Sequence, residues 1–267
     1  MGRFGQRLGV HAANGGDGQK SGLDPRCALP ARTFDVPTSG REARSLPENA
    51  LLVTIDDGYR DLQDIALPML SQVGIKPVIF PRLPVADGYP AWAPLDLLYV
   101  GRALNGADSA VPSLEWRECL LPLPLEEQLM MVRKQFGNIP EEVLSAERKR
   151  LYLSDQELRS LSTATVGTHG IEHIRWTTLD ANTLDETLRR SLRWLEEIGG
   201  LPIAAYPDGA CSTDVAARVA AMGFQAAFTL NSTPSSVPSA YAVRRIVMPD
   251  NPEYIAKVIK PTKENAA

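Results

Sequence analysis

The chain has 267 residues, a formal net charge of −4, and 44% hydrophobic against 22% charged residues. This is an ordinary globular composition, so a wholly disordered or collagen-like chain is excluded. The slight negative charge argues against a general nucleic-acid surface, which is usually basic. No stretch reaches the roughly 20 apolar residues of a transmembrane helix, and the first residues lack the apolar core of a signal peptide. Three widely spaced cysteines give no disulfide framework, so we expect a cytoplasmic protein with reduced thiols.

The first 50 residues differ in composition from the rest of the chain. A short apolar run at 8–10 predicts a first strand, and residues 12–50, rich in Gly, Pro, Ser and Arg, predict a long irregular connection. We therefore expect an irregular N-terminal segment over 1–50, one domain over 51–260 and a tail over 261–267.

After residue 50, short apolar runs alternate with helical patterns. Strands are predicted at 51–55, 78–80, 165–167, 203–206, 226–230 and 242–247. Helices are predicted at 62–70, in several segments of 95–150, after the capping residue Ser154, and over 182–198, 214–222 and 251–259. Strands that alternate with helices favour a parallel sheet, either open or closed as a barrel.

Two adjacent aspartates, Asp56 and Asp57, directly follow the strand predicted at 51–55. In parallel α/β folds the active site forms at the carboxyl ends of the strands. Because side chains alternate along a strand, the two carboxylates should point different ways, so that one ligates a metal ion and the other acts as a base. The alternative is a solvated turn, since Asp-Gly is a common turn dipeptide.

Two of the three histidines, His169 and His173, lie four residues apart after another predicted strand. On one helical turn both imidazoles could reach a single metal ion. Two histidines and one carboxylate, with an open position for water, form a catalytic divalent-metal set, and Asp57 is the candidate third ligand. The alternative is a pair of surface or core histidines without a metal.

Together these segments resemble the polysaccharide deacetylases, the NodB-homology family also called carbohydrate esterase family 4. Residues 53–59, Val-Thr-Ile-Asp-Asp-Gly-Tyr, resemble the family's Thr-Phe-Asp-Asp-Gly motif. Residues 167–173, Gly-Thr-His-Gly-Ile-Glu-His, resemble its His-(Ser/Thr)-x-x-His motif. Three further segments resemble elements of the branch found in surface-polysaccharide gene clusters: residues 205–209, 224–229 and 244–246.

The resemblance implies a distorted (β/α)7 barrel and a metal-dependent N-deacetylase. Its expected substrate is an N-acetylated carbohydrate, an amino sugar of a surface polysaccharide or its precursor, as in O-antigen or exopolysaccharide biosynthesis. Asp57, His169 and His173 would bind a divalent ion, first of all Zn²⁺, with Co²⁺ or Ni²⁺ as alternatives. Asp56 would be the general base, and the loop at 205–208 would supply a backbone N–H to the oxyanion.

The sequence departs from the family's pattern at several of these positions. Ala205 stands where other branches have an arginine that holds the catalytic aspartate, and Arg245 is the candidate replacement. No histidine follows His173, so the family's C-terminal histidine acid is missing. His11 lies in a segment that resembles the N-terminal Tyr-His element of some relatives. It is the candidate general acid, and the alternative is a solvated terminal residue.

Four residues are candidate substrate contacts: Tyr206, Asp208, Trp176 and Arg245. Asp208 stands where the branch has a tyrosine. Trp176 follows the histidine pair and is the best candidate to stack on a sugar ring, although tryptophans more often pack in the core. The weakened acid and arginine positions motivate an alternative function, a catalytically impaired, metal-binding protein of the same fold that binds glycan or acts as a scaffold. A phosphatase-type metallohydrolase is a further alternative.

Overall fold

The computed structural model describes residues 51–107, 112–230 and 233–247. The strands in these ranges are β1 (Thr54–Asp57), β2 (Val78–Pro81), β3 (Thr165–Val166), β4 (Ile203–Ala205), β5 (Ala226–Thr229) and β6 (Val243–Arg244). The helices are α1 (Leu67–Gln72), α2 (Pro94–Leu104), α3 (Leu114–Leu120), α4 (Leu125–Phe136), α5 (Glu141–Leu151), α6 (Asp155–Ser160), α7 (Ala181–Ile198) and α8 (Thr213–Met222). Short 3-10 turns cover Trp176–Thr178, Pro207–Gly209 and Ser239–Tyr241. The predicted strand at 8–10 and helix at 251–259 lie outside the described residues.

The strands form two parallel three-stranded sheets, ordered β1-β2-β3 and β4-β5-β6. Backbone hydrogen bonds just beyond β3 join the two sheets. Thr168 N–H donates to the Ile203 carbonyl at 3.0 Å, and Ala205 N–H donates to the Thr168 carbonyl at 2.9 Å. The predicted alternation of parallel strands and helices is therefore confirmed. A closed seven-stranded barrel is not seen, because the sheets formed by the described residues are small and open.

The helix after β1 begins with an irregular turn. Residues Leu62–Ala66 form a π turn that passes directly into α1. Pro68 lies in the first turn of α1 and has no N–H to donate, so a regular α-helix through this point would lack one backbone hydrogen bond. The helix predicted over 62–70 is therefore present, but its first part is a π turn.

Five helices, α2 to α6, are inserted between β2 and β3 over residues 94–160, and we call this region the helical insertion. It has its own apolar cluster of buried residues: Leu95, Leu98, Leu120, Leu121 and Val132. The end of α5 and the residues just after it are bound to the segment after β1, since Arg60 N–H donates to the Leu151 carbonyl at 2.8 Å and Leu153 N–H donates to the Gly58 carbonyl at 3.0 Å. The insertion is thereby attached directly beside the Asp-Asp-Gly turn.

Helix α7 packs against the apolar core that includes Ile55 of β1 and Ile79 of β2. The Asp180 side chain caps its first turn by accepting from the Asn182 and Thr183 amides, and left-handed Gly199 ends it. Leu184, Leu188 and Leu195 are buried, as the periodicity predicts, and Leu192 is partly buried. No helix among the described residues is both long enough and apolar enough to cross a membrane.

Candidate metal centre and active site

The two aspartates end β1 with a sharp change of backbone direction. Asp57 has φ = +69° and Gly58 has φ = +73°, both in the left-handed region. A Cβ on Gly58 would lie 2.8 Å from the Pro81 Cβ, so the close approach of β2 requires glycine here. Burial still alternates along β1 to its end at Asp57, and both carboxylates lie beside the histidine pair.

His169 and His173 lie in a loop, and the predicted helical turn between them is wrong. Gly170 has φ = +80° and His173 has φ = +56°, values that a right-handed helical turn does not contain. A Cβ on Gly170 would lie 2.9 Å from the Trp176 Nε1, so glycine allows the loop to fold against this indole. The two imidazole rings are still 4.9 Å apart between centroids, so the loop achieves the proximity that a helix was expected to give.

Asp57, His169 and His173 each offer a ligand atom, and these atoms lie within 4.8 Å of one another. All three residues are buried, with exposed fractions of 2%, 2% and 5%. His173 Nε2 is 3.6 Å from Asp57 Oδ1, close to the roughly 3.4 Å between neighbouring ligands of a tetrahedral zinc. The structure brings together the three residues that the sequence predicted as metal ligands.

The hydrogen bond of His169 fits the same role. Its Nδ1 lies 2.8 Å from the Ala205 carbonyl oxygen, which can only accept, so Nδ1 carries the proton. Nε2 is then the ring nitrogen that is left for a metal ion, and it belongs to the same group of ligand atoms as those of Asp57 and His173. A backbone carbonyl that orients an imidazole in this way is a usual neighbour of metal-ligating histidines. The donor set therefore fits a divalent cation.

Asp56 is held by a two-pronged contact with Arg245. Arg245 Nη1 donates to Asp56 Oδ1 at 2.6 Å, and Nη2 donates to Oδ2 at 2.7 Å. Burial raises the pKa of Asp56, but the nearby His169 and Arg245 outweigh burial and hold this pKa below its usual value. Asp56 is therefore an anion at neutral pH, 3.8 Å from His169 Nε2. The contact favours Arg245 as the arginine that holds the base, rather than as a substrate contact.

Trp176 and Tyr206, both expected to contact substrate, are core residues in this structure. Their exposed fractions are 1% and 0%, and their rings pack edge to face at 5.7 Å between centroids. Tyr206 OH donates to the Tyr241 carbonyl at 3.0 Å. Stacking on a sugar requires an open ring face, which neither side chain presents here.

The loop after β4 holds Asp208 in a left-handed conformation, with φ = +54°. Its carboxylate Oδ2 lies 3.6 Å from Arg175 Nε. The loop is fixed at both ends, because Tyr206 N–H donates to the Phe228 carbonyl at 2.9 Å and Thr229 Oγ1 donates to the Gly209 carbonyl at 2.7 Å. The structure thus gives Asp208 an arginine partner. His11 lies outside the described residues, so its role as general acid stays a prediction.

A buried polar group behind Asp57 was missed by the sequence reasoning. Arg82 is 0% exposed and lies with its Nε 3.7 Å from Asp57 Oδ1. Its Nη2 is 3.1 Å from Asp96 Oδ2, and Asp96 also accepts hydrogen bonds from the Tyr59 and Tyr152 hydroxyls. The one local signal was an arginine directly after the apolar run of β2. The other members lie in distant segments, so spacing along the chain does not reveal the group.

Comparison with known proteins gives similarities to solved structures. No protein-family model and no curated protein matches the chain. A deacetylase from Streptococcus pyogenes, PplD, is 15% identical, covering 79% of this chain and 70% of that one, with a TM-score of 0.41. A de-N-acetylase from Aggregatibacter actinomycetemcomitans is 13% identical over 80% of this chain and 76% of that one, with a TM-score of 0.46.

A polysaccharide deacetylase from Bacillus cereus is also similar. It is 15% identical, with 78% of this chain and 51% of that chain covered and a TM-score of 0.40. These matched structures are deacetylases, as the sequence resemblance suggests. Because the TM-scores lie below 0.5, the function proposed below rests on the residues of the site.

Proposed function

We propose that this chain is a metal-dependent hydrolase of the polysaccharide deacetylase family that removes N-acetyl groups from amino sugars. The substrate class that we propose is a surface polysaccharide or its precursor, and the cofactor is Zn²⁺, with Co²⁺ or Ni²⁺ as alternatives. One observation carries the proposal: a buried Asp57–His169–His173 group lies beside a second carboxylate, Asp56, that an arginine holds as an anion. This is a ligand set next to a base.

The residues of the site divide the chemistry between them. Asp57, His169 and His173 would hold the cation, which when bound supplies Lewis-acid chemistry by polarising an amide carbonyl and making water more acidic. Asp56 would accept the proton from the attacking water at its carboxylate. Arg245 keeps that carboxylate ionised and fixes its orientation, so the base is ready without rearrangement.

Two further roles complete the proposed reaction. In the loop at 205–208, Ala205 and Tyr206 already donate to backbone carbonyls and Pro207 has no N–H, so we assign to the Asp208 N–H the contact with the oxyanion that develops on the acetyl carbonyl. The leaving amine needs a proton, and we assign that transfer to His11. The products are acetate and a free amino sugar.

Acetate release from oligomers of N-acetylglucosamine, measured with the Zn²⁺-loaded protein, tests this function. Asp56→Asn should lower kcat by about 10² to 10⁴, the range expected for loss of a general base, while the protein still binds Zn²⁺. Asp64→Asn is the matched control, because Asp64 is an exposed aspartate on the turn that follows the site. Its activity should equal that of the wild type.

The same assay separates the alternative functions. Wild-type activity in Asp56→Asn would contradict the assignment of the base. A wild-type protein that binds Zn²⁺ and releases no acetate from any N-acetylated glycan would instead favour the catalytically impaired glycan-binding protein. Release of phosphate from phosphorylated substrates, without acetate release, would favour a phosphatase.

A further inference from the structure

Arg82 is a fully buried cation between two carboxylates. Its Nη2 lies 3.1 Å from Asp96 Oδ2, and its Nε lies 3.7 Å from Asp57 Oδ1. Its Nη1 donates to the Ala91 carbonyl at 2.9 Å, and its guanidinium lies 4.5 Å above the centre of the Tyr152 ring. An arginine held on all these sides has a fixed position, so it places a fixed positive charge behind Asp57.

The helical insertion supplies two of the groups that hold this arginine, Asp96 and Tyr152. Asp96 is on α2 and Tyr152 directly follows α5, whereas Tyr59 follows the Asp-Asp-Gly turn. Tyr59 OH donates to Asp96 Oδ1 at 2.7 Å, and Tyr152 OH donates to the other oxygen, Oδ2. Asp96 is only 4% exposed, so its carboxylate depends on these hydrogen-bond donors in place of water.

We propose that Asp96 balances the charge of Arg82 and thereby leaves the negative charge of Asp57 to the metal ion, so that the helical insertion sets the metal affinity of the site. This inference rests on the metal site of the proposed function. Arg82 and Asp96 act through Asp57 and are positioning residues.

The positions of these charges predict that loss of the Asp96 charge weakens metal binding. With Asp96 ionised, Arg82 has its shorter contact with Asp96 and its longer contact with Asp57. If Asp96 loses its charge, Asp57 becomes the carboxylate that the buried cation must pair with, because an unbalanced buried charge is strongly unfavourable. Arg82 then competes with the metal ion for Asp57. Substitutions of residues that orient metal ligands typically weaken metal binding 10- to 100-fold.

The test is Co²⁺ binding, measured by calorimetry and by the visible absorption of the bound ion, which reports ligand geometry. Asp96→Asn keeps the shape of the side chain and removes its charge. We expect its Kd for Co²⁺ to rise 10- to 100-fold, with a changed absorption spectrum. Tyr152→Phe keeps the ring beneath Arg82 and removes one donor to Asp96, and its Kd should rise at least threefold.

Glu157→Gln is the matched control. Glu157 also lies in the helical insertion and pairs with an arginine, but its partner is Arg60 and not Arg82. Its Kd for Co²⁺ should match that of the wild type. If Glu157→Gln weakens binding as much as Asp96→Asn does, the effect comes from general destabilisation, and the inference is overturned.

The remaining outcomes are also decisive. A folded Asp96→Asn protein, judged by circular dichroism, whose Kd lies within twofold of the wild-type value overturns the inference and leaves the proposed function intact. If Asp96→Asn does not fold, Tyr152→Phe decides, and a Kd within twofold of wild type overturns the inference. A wild-type protein that binds no Co²⁺ overturns the metal site itself, and this inference with it.

Discussion

Asp56 and Asp57 are neighbours in sequence that use different backbone conformations. Asp56 keeps the extended conformation of β1, while Asp57 has φ = +69°. An aspartate tolerates the left-handed region better than most residues, and Gly58, with φ = +73°, continues the turn. The result is that both carboxylates face the same pair of histidines. A motif of two aspartates and a glycine can therefore provide a ligand and a base within one turn of chain.

Arg245 fixes the orientation of Asp56, the proposed base, through two hydrogen bonds. We expect Arg245→Ala to lower kcat/KM for acetate release on the order of 100-fold, because a misplaced catalytic group loses about this much. The metal affinity should stay near the wild-type value, since the guanidinium of Arg245 donates to Asp56 and Thr54. Arg245→Lys should recover part of the rate, because lysine keeps the charge and lacks the planar fork.

The control for this prediction is the adjacent arginine. Arg244 is exposed at the end of β6, so Arg244→Ala should leave steady-state kinetics unchanged. Equal losses in the Arg244 and Arg245 variants would show that charge near β6, rather than the contact with Asp56, supports the reaction.

At the level of elements, α6 is attached to the segment after β1 by one ion pair. Arg60 donates to Glu157 Oε1 at 2.8 Å and to Oε2 at 3.1 Å, and Glu157 also caps α6 by accepting from the Ser154 amide at 2.8 Å. The hydrogen bonds from Arg60 lower the pKa of Glu157 to about 2, against the opposing effect of burial. The capping box that the sequence predicts at Ser154 is confirmed, and its glutamate serves a long-range contact as well.

This ion pair gives a pH dependence of stability. The pKa of Glu157 is about 2 in the folded protein and near 4.5 when the chain is unfolded, so its stabilising effect is full above about pH 4.5. The effect is lost as the pH falls from about 4.5 to 2. Glu157→Gln should therefore lower the free energy of unfolding at pH 7, measured by urea denaturation, and the difference from wild type should shrink at pH 3.

Glu186→Gln serves as the control for this pH dependence. Glu186 pairs with Arg189 on the surface of α7, with about half of each side chain exposed. Exposed pairs of this kind are strongly screened and contribute little, so this variant should unfold like the wild type at both pH values. A difference between Glu157→Gln and wild type that stays constant down to pH 3 would contradict the proposed origin of the effect.

For the whole molecule, the candidate metal site joins segments from the two sheets. Asp57 ends β1, the histidines follow β3, and the Ala205 carbonyl that orients His169 ends β4. A cation held by these residues would bind the folded chain and not the unfolded one, because the ligands come together only on folding. Binding of the cation should therefore raise the free energy of unfolding.

We expect Zn²⁺ at 100 times its Kd to add about 2.7 kcal/mol to the free energy of unfolding. For a chain of this size that corresponds to a rise in Tm of roughly 5 to 10 °C, which a chelator should reverse. His169→Ala should abolish the rise measured by calorimetry. His11→Ala should keep it, because His11 is assigned to proton transfer, and loss of the rise in this variant would contradict the ligand assignment.

The sequence predicts the local structure of this protein better than the contacts between distant segments. The strand and helix pattern after residue 50 was largely correct, because period-two and period-3.6 repeats are properties of short segments. The final predicted strand at 242–247 is an exception, since only Val243–Arg244 is extended in the sheet. The sequence also pointed to Asp57, His169 and His173, which the structure brings together, because their residue types and short spacings carry chemical information.

Distances between remote segments were decided by the tertiary structure alone. The sequence determined which residues could ligate a metal, which could act as a base, and where most strands and helices lie. Only the fold decided that both carboxylates of the Asp-Asp pair face the histidines, that Trp176 and Tyr206 are enclosed in the core, and that Arg82 with Asp96 stands behind Asp57. The physical reason is that left-handed backbone turns and buried ion pairs depend on what packs against them, and those neighbours lie tens of residues away in the chain.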